Sequence, residues 1–133
     1  MGGCSIEIDM VVCDALQALA LYEAIFGDAV VRITVTDLDV GSNEAIFTIY
    51  GTRFHLLDEN QQFGLVAPNP NGTSPMPMWL NVTVPDIEKT FSTAITCGCK
   101  EVFAITYVES HNVKNAMFCD VYGHGWMLHQ VLS

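Results

Sequence analysis

The sequence predicts an α+β fold of two tandem βαβββ modules that form a curved mixed sheet around a cavity. Three observations carry this: self-similarity at an offset of 72 residues, a switch from two-residue to helical apolar spacing within each copy, and a proline-rich stretch between the copies. At that offset Ile8 falls on Leu80, Met10 on Val82, Val12 on Val84 and Asp14 on Asp86. Later, Tyr50 and Gly51 fall on Tyr122 and Gly123, Phe54 on Trp126 and Leu56 on Leu128. The 133 residues thus read as one domain, with module one at about 1–60, a linker at 61–77 and module two at about 78–133.

The opening segment, residues 6–14, alternates apolar and variable positions, so Ile6, Ile8, Met10 and Val12 are expected on the packed face of a strand. Asp14 suits a helix N-cap. The run 15–26 then places Leu16, Leu19, Ala20 and Tyr22 on one helical face, and Gly27 stops it. Copy two repeats this from Asp86 through Ile87, Phe91 and Ile95 to Gly98. β-Branched runs at 30–35 and 102–106 predict further strands, followed in each copy by a hairpin about Tyr-Gly, where glycine supplies positive φ. Residues 61–77 hold four of the five prolines and read as a connection without regular structure. One helix covers only one sheet face, so the other needs its twin or a second chain.

Composition excludes several classes of partner. Fifteen Asp and Glu against five Lys and Arg leave a net charge of −10, which repels nucleic acid and anionic membrane surfaces. No run reaches the roughly 18 apolar residues of a membrane span, and the first residues lack the basic and apolar regions of a signal peptide. A cytoplasmic location is expected. Five cysteines without CxxC spacing suit a reducing compartment, and the Cys97-Gly-Cys99 pair falls short of the roughly four ligands of a structural metal site. Sequons at Asn71 and Asn81 read as chance matches.

The alternation that packs Met10 and Val12 turns Glu7, Asp9 and Val11 to the opposite, concave face. The offset assigns Trp79, Asn81 and Thr83 to the same face in copy two. On the closing strands it assigns His55 and Leu57, and Met127 and His129. Glu7, His55, Trp79 and Met127 are therefore four equivalent cavity positions.

The Val12-x-Asp14 helix entry, L-Y-E-A-I-F-G at 21–27, G-x-x-F-x-L at 51–56 and D-V-Y-G-H-G-W-M-L at 120–128 resemble the vicinal oxygen chelate superfamily. That superfamily includes glyoxalase I, bleomycin-resistance proteins and dioxygenases, and the PhnB-like branch is the nearest in pattern. The resemblance implies a homodimer, a small-molecule ligand and one divalent-metal ligand from the first and last strand of each module. Those four places fall on Glu7, His55, Trp79 and Met127. Indole cannot ligate and a thioether is soft, so only Glu7 and His55 fit. A fuller set needs Asp9, Asn81 or His129, each about 6.6 Å along a strand, to reach in. Alternatively Glu7 and His55 form a hydrogen-bonded pair. Trp79 and Met127 suit an apolar wall, with Glu7, Asn81 and His55 orienting an aromatic or hydrophobic molecule.

Three functions follow as expectations. The first is a PhnB-like protein that binds a small molecule in the cavity, with or without turnover. The second is a divalent-metal-dependent lyase, isomerase or dioxygenase, and the third a non-catalytic structural or interaction protein. No glycine-rich loop opens a βαβ unit, so no nucleotide-like cofactor is expected. No Ser-His-Asp arrangement is visible, which leaves Cys119, near Tyr122, as the one thiol to test.

Overall fold

A computed structural model of the chain describes residues 3–38, 42–69 and 77–133. The chain divides into two compact units, Met1–Ala67 and Pro68–Ser133. Unit one runs β1 (Ile8–Val12), α1 (Ala15–Phe26), β2 (Val30–Thr36), β3 (Glu44–Ile49) and β4 (Thr52–Asp58). Unit two runs β5 (Leu80–Thr83), α2 (Ile87–Thr96), β6 (Lys100–Val108), β7 (Val113–Cys119) and β8 (Gly125–Val131). The sheets have the same mixed topology, β1-β4-β3-β2 and β5-β8-β7-β6, with the first pair parallel and the others antiparallel.

The 72-residue offset survives in the register. Ile8 lies opposite Phe54, Asp9 opposite His55 and Met10 opposite Leu56. Leu80 lies opposite Trp126, Asn81 opposite Met127 and Val82 opposite Leu128. Asp14 accepts from the Gln17 amide at 3.1 Å and Asp86 from the Lys89 amide at 3.1 Å, so both helices start on the capping aspartate. Gly27 ends α1 at φ 58°, a conformation open to glycine.

Helix α1 buries Ala15, Ala18, Leu19, Tyr22, Ile25 and Phe26 over Met10, Val12, Phe47 and Leu56 of its sheet. The buried stripe is rotated from the expected one: Leu16 is half-buried and Ala20 exposed, because 15, 18/19, 22 and 25/26 are the i, i+3, i+4 set that faces the sheet. Helix α2 buries Ile87, Phe91 and Ala94, whereas Ile95 is exposed. Ile6 lies outside β1 and is exposed, as is Met78 before β5, since neither has a strand partner there. Aromatic pairs lock each core, with Phe47 stacked on Phe54 at 5.7 Å and Phe118 on Trp126 at 6.5 Å.

The hairpins differ. β3 and β4 join through Tyr50 and Gly51, both at positive φ (47° and 83°), the turn that matches strand twist. The β7–β8 loop runs over residues 120–124, and the span from Phe118 to its partner Trp126 is one residue longer than that from Phe47 to Phe54, so Phe47 and Ala45 correspond to Phe118 and Ala116 and the offset there is 71. A constant offset of 72 would set Ile46 on Phe118, whereas the register sets it on Met117. Buried Asp120 closes this longer loop, accepting from the amides of Tyr122 (2.9 Å) and His124 (3.0 Å) and from the Trp126 indole (2.8 Å). Gly123, at φ 94°, passes so near Pro68 that a Cβ would sit 2.9 Å from it.

The start of the connecting stretch has structure after all: a 3-10 turn at Gln61–Phe63 and a bridge between Asn60 and Leu65. Residues 70–76, with the Asn71 sequon, lie outside the described residues. Among the described residues no helix is long and apolar enough to cross a membrane.

Candidate metal centre

The sheet face away from α1 carries the charged side chains. Asp9 on β1 sits directly across the parallel pairing from His55 on β4, and Glu7 just precedes β1 on the same face. His55 Nδ1 is 3.8 Å from Asp9 Oδ1 and 3.9 Å from Glu7 Oε2. Its Nε2 lies 2.8 Å from Glu44 Oε1, which reaches across from β3. Only 16% of the His55 side chain is exposed. Arg53, on the same face of β4, donates its Nε–H to Glu7 Oε1 at 3.0 Å.

Two expectations change here. Glu7 and His55 do not form the hydrogen-bonded pair, because His55 is held by Glu44 and Glu7 by Arg53. Nor is Asp9 a strand step too far: the parallel register sets it opposite His55, and the longer Glu7 side chain covers the offset of two residues. Partial burial first, and the neighbouring Glu7 charge second, hold the Asp9 carboxyl above its ordinary range, partly countered by His55. Crowded carboxylates of this kind gain from a cation.

Among the described residues, Glu7, Asp9 and His55 are the grouping whose ligand atoms all lie within 4.8 Å of one another. Metal–ligand bonds of about 2.1 Å place tetrahedral donors about 3.4 Å apart, so side-chain rotation has to shorten the 3.8 and 3.9 Å His55 separations for the set to hold an ion. One imidazole nitrogen with two carboxylate oxygens suits a hard or borderline divalent ion and not a soft one. A cleft of about 190 Å³ opens beside Glu44, walled by Leu57, Asp58, Phe63 and Leu65.

In unit two, Trp79 precedes β5 and is half exposed. Asn81 lies opposite Met127, and His129 opposite Thr83 and Asn115. Asn115 occupies the place that Glu44 holds in unit one, and its Oδ1 is buried without a hydrogen-bond partner. Sequence reasoning missed Glu44 and Arg53. Their signal was available in the alternation of β3 and β4, which turns Glu44, Arg53 and His55 to one face.

All five cysteines are free. Burial pushes the Cys99 thiol up to about 12, with Asp120 adding to it, and burial followed by Asp120 raises Cys119 as well. Both are poor nucleophiles at neutral pH. Iodoacetamide at pH 8 is therefore expected to modify exposed Cys4, Cys13 and Cys97 in the folded protein, and Cys99 and Cys119 only after unfolding. Peptide mass mapping of the two samples checks this, and early labelling of Cys119 would contradict it.

No family profile matches the sequence, and no curated protein does. Solved structures do match. A PhnB protein from Bacillus cereus superposes with a TM-score of 0.70 at 21% identity, over 96% of this chain and 100% of that one. FosX, a fosfomycin resistance protein from Listeria monocytogenes, does so with a TM-score of 0.70 at 14% identity, over 99% and 96%. A mutant FosX complexed with Mn(II) and 1S,2S-dihydroxypropylphosphonic acid gives 0.72 at 14% identity, over 99% and 95%. The chain thus shares its fold of two βαβββ modules with solved proteins that include PhnB and FosX.

Proposed function

We propose that this chain is a PhnB-like small-molecule-binding protein in which Glu7, Asp9 and His55 hold a divalent cation. The observation that carries the reading is the His55 ring, whose Nδ1 faces two carboxylates at 3.8 and 3.9 Å. Such an ion supplies Lewis-acid polarisation to adjacent oxygens of a bound molecule. Glu7 and Asp9 supply the compensating negative charge, Arg53 fixes the Glu7 carboxylate, and the cleft beside Glu44 offers apolar surface from Leu57, Phe63 and Leu65. Binding precedes either use, sequestration or turnover. The Mn(II) in the FosX complex supports the reading by fold.

The same proposal includes a homodimer in a reducing, cytoplasmic compartment. Exposed apolar residues on the outer strands, Val31 and Ile33 on β2 and Val102 and Tyr107 on β6, support the first, and five free thiols the second. A second reading, metal-free capture of an aromatic or hydrophobic molecule, is favoured by half-exposed Trp79 and the unpartnered Asn115 oxygen beside Met127 and His129.

Calorimetric titration with Mn(II) distinguishes the two. The native protein is expected to bind one ion per chain, and Glu7→Ala/His55→Ala to bind at least about tenfold more weakly, since two of three ligands are lost. Equal heats from both proteins would remove the metal reading and leave the second.

A further inference from the structure

We infer that Glu44 is a positioning residue for the candidate centre: it holds the proton on His55 Nε2, so that the Nδ1 lone pair is presented to the space between Glu7 and Asp9. This inference rests on the metal reading above, but its first consequence concerns the metal-free protein. A neutral imidazole carries one N–H, and the nitrogen that keeps it follows from the hydrogen bond it makes. Glu44 Oε1 lies 2.8 Å from Nε2 and, as a carboxylate, accepts only; among the described residues Nδ1 has no partner within hydrogen-bonding distance, with Glu7 and Asp9 at 3.9 and 3.8 Å. The hydrogen bond therefore selects the Nε2–H form. It also sets the ring plane, because β3 and β4 are paired at Ile46–His55 and Glu44–Leu57, one step from the contact. A carboxylate behind a ligating imidazole fixes its tautomer and raises its basicity.

The second copy provides the internal control. There the same strands meet in the same way, yet Asn115 stands where Glu44 does and Met127 where His55 does, and the Asn115 oxygen has no hydrogen-bond partner. The sheet forms without the bond, so packing does not require Glu44 to hold His55. Copy one retains the pair on the face that also carries Glu7 and Asp9.

The test uses the full chain as native protein, Glu44→Gln and Glu44→Ala. Long-range ¹⁵N–¹H correlation spectra of the metal-free proteins report the His55 tautomer, and calorimetry with Mn(II) reports affinity. Native protein is expected to show Nε2–H. Glu44→Gln, whose amide oxygen still accepts, keeps that tautomer and binds Mn(II) within about threefold of native; Glu44→Ala gives mixed tautomers and binds about tenfold more weakly. Because both variants lose one negative charge, equal losses would assign the effect to charge and overturn the inference. So would native-like tautomer and affinity in Glu44→Ala. If the native protein binds no Mn(II), the metal reading fails by itself, and the tautomer spectra still decide whether Glu44 orients His55.

Discussion

Asp120→Ala is expected to destabilise the protein by about 3 to 4 kcal/mol, a large share of the roughly 5–15 kcal/mol that holds a typical domain together. Among the described residues Asp120 is the buried polar residue of the core, 1% exposed, and its oxygens accept from the amides of Tyr122 and His124 and from the Trp126 indole. Alanine leaves the fully buried Trp126 indole N–H without this acceptor, along with the amides of Tyr122 and His124. The first copy manages without such a carboxylate because its two-residue Tyr50-Gly51 turn closes on backbone geometry and Phe54, at the place of Trp126, has no N–H to satisfy. Urea denaturation measures the loss. A double-mutant cycle with Trp126→Phe isolates the indole bond, with an expected coupling of about 1 kcal/mol or more. A loss under about 1 kcal/mol for Asp120→Ala would show that water satisfies these donors as well as the carboxylate does.

How much of this was legible in the sequence depends on whether the signal was local. The two aspartate caps and the paired strands showed through because each rests on a few adjacent residues and recurs 72 positions later. The face of α1 was misjudged at Leu16 and Ala20, since an alanine- and leucine-rich helix is apolar nearly all round and its own pattern does not say which stripe meets the sheet, and on α2 Ala94, not Ile95, takes the buried place. The site was half legible. Glu7, Asp9 and His55 were correctly turned to one face, but the sequence carries no inter-strand register, so it could not show that Asp9 is level with His55. Glu44 depended on a further register, that of β3 against β4, and on a hairpin whose length differs between the copies.

Asp58→Ala is expected to cost about 2 to 3 kcal/mol, and its symmetry mate Gln130→Ala about 1 kcal/mol. Asp58 ends β4 and Gln130 stands one residue before the end of β8, and both accept the amide of the first helical residue: Ala15 to Asp58 Oδ1 at 2.6 Å and Ile87 to Gln130 Oε1 at 2.8 Å. The first amides of a helix have no partner within it. Asp14 and Asp86 each satisfy the amide three residues on, so Asp58 and Gln130 complete the caps from 43 residues away. The difference in expected cost comes from Asp58 Oδ2, which also accepts the Asn43 amide at 2.9 Å just before β3. One side chain thereby ties α1, β3 and β4 together, and β3 and β4 carry Glu44 and His55. Urea denaturation of the two single variants tests the ranking. A Gln130→Ala loss equal to that of Asp58→Ala would mean that the Asn43 bond adds nothing, and that Glu44 and His55 are held in register by the strand pairing alone.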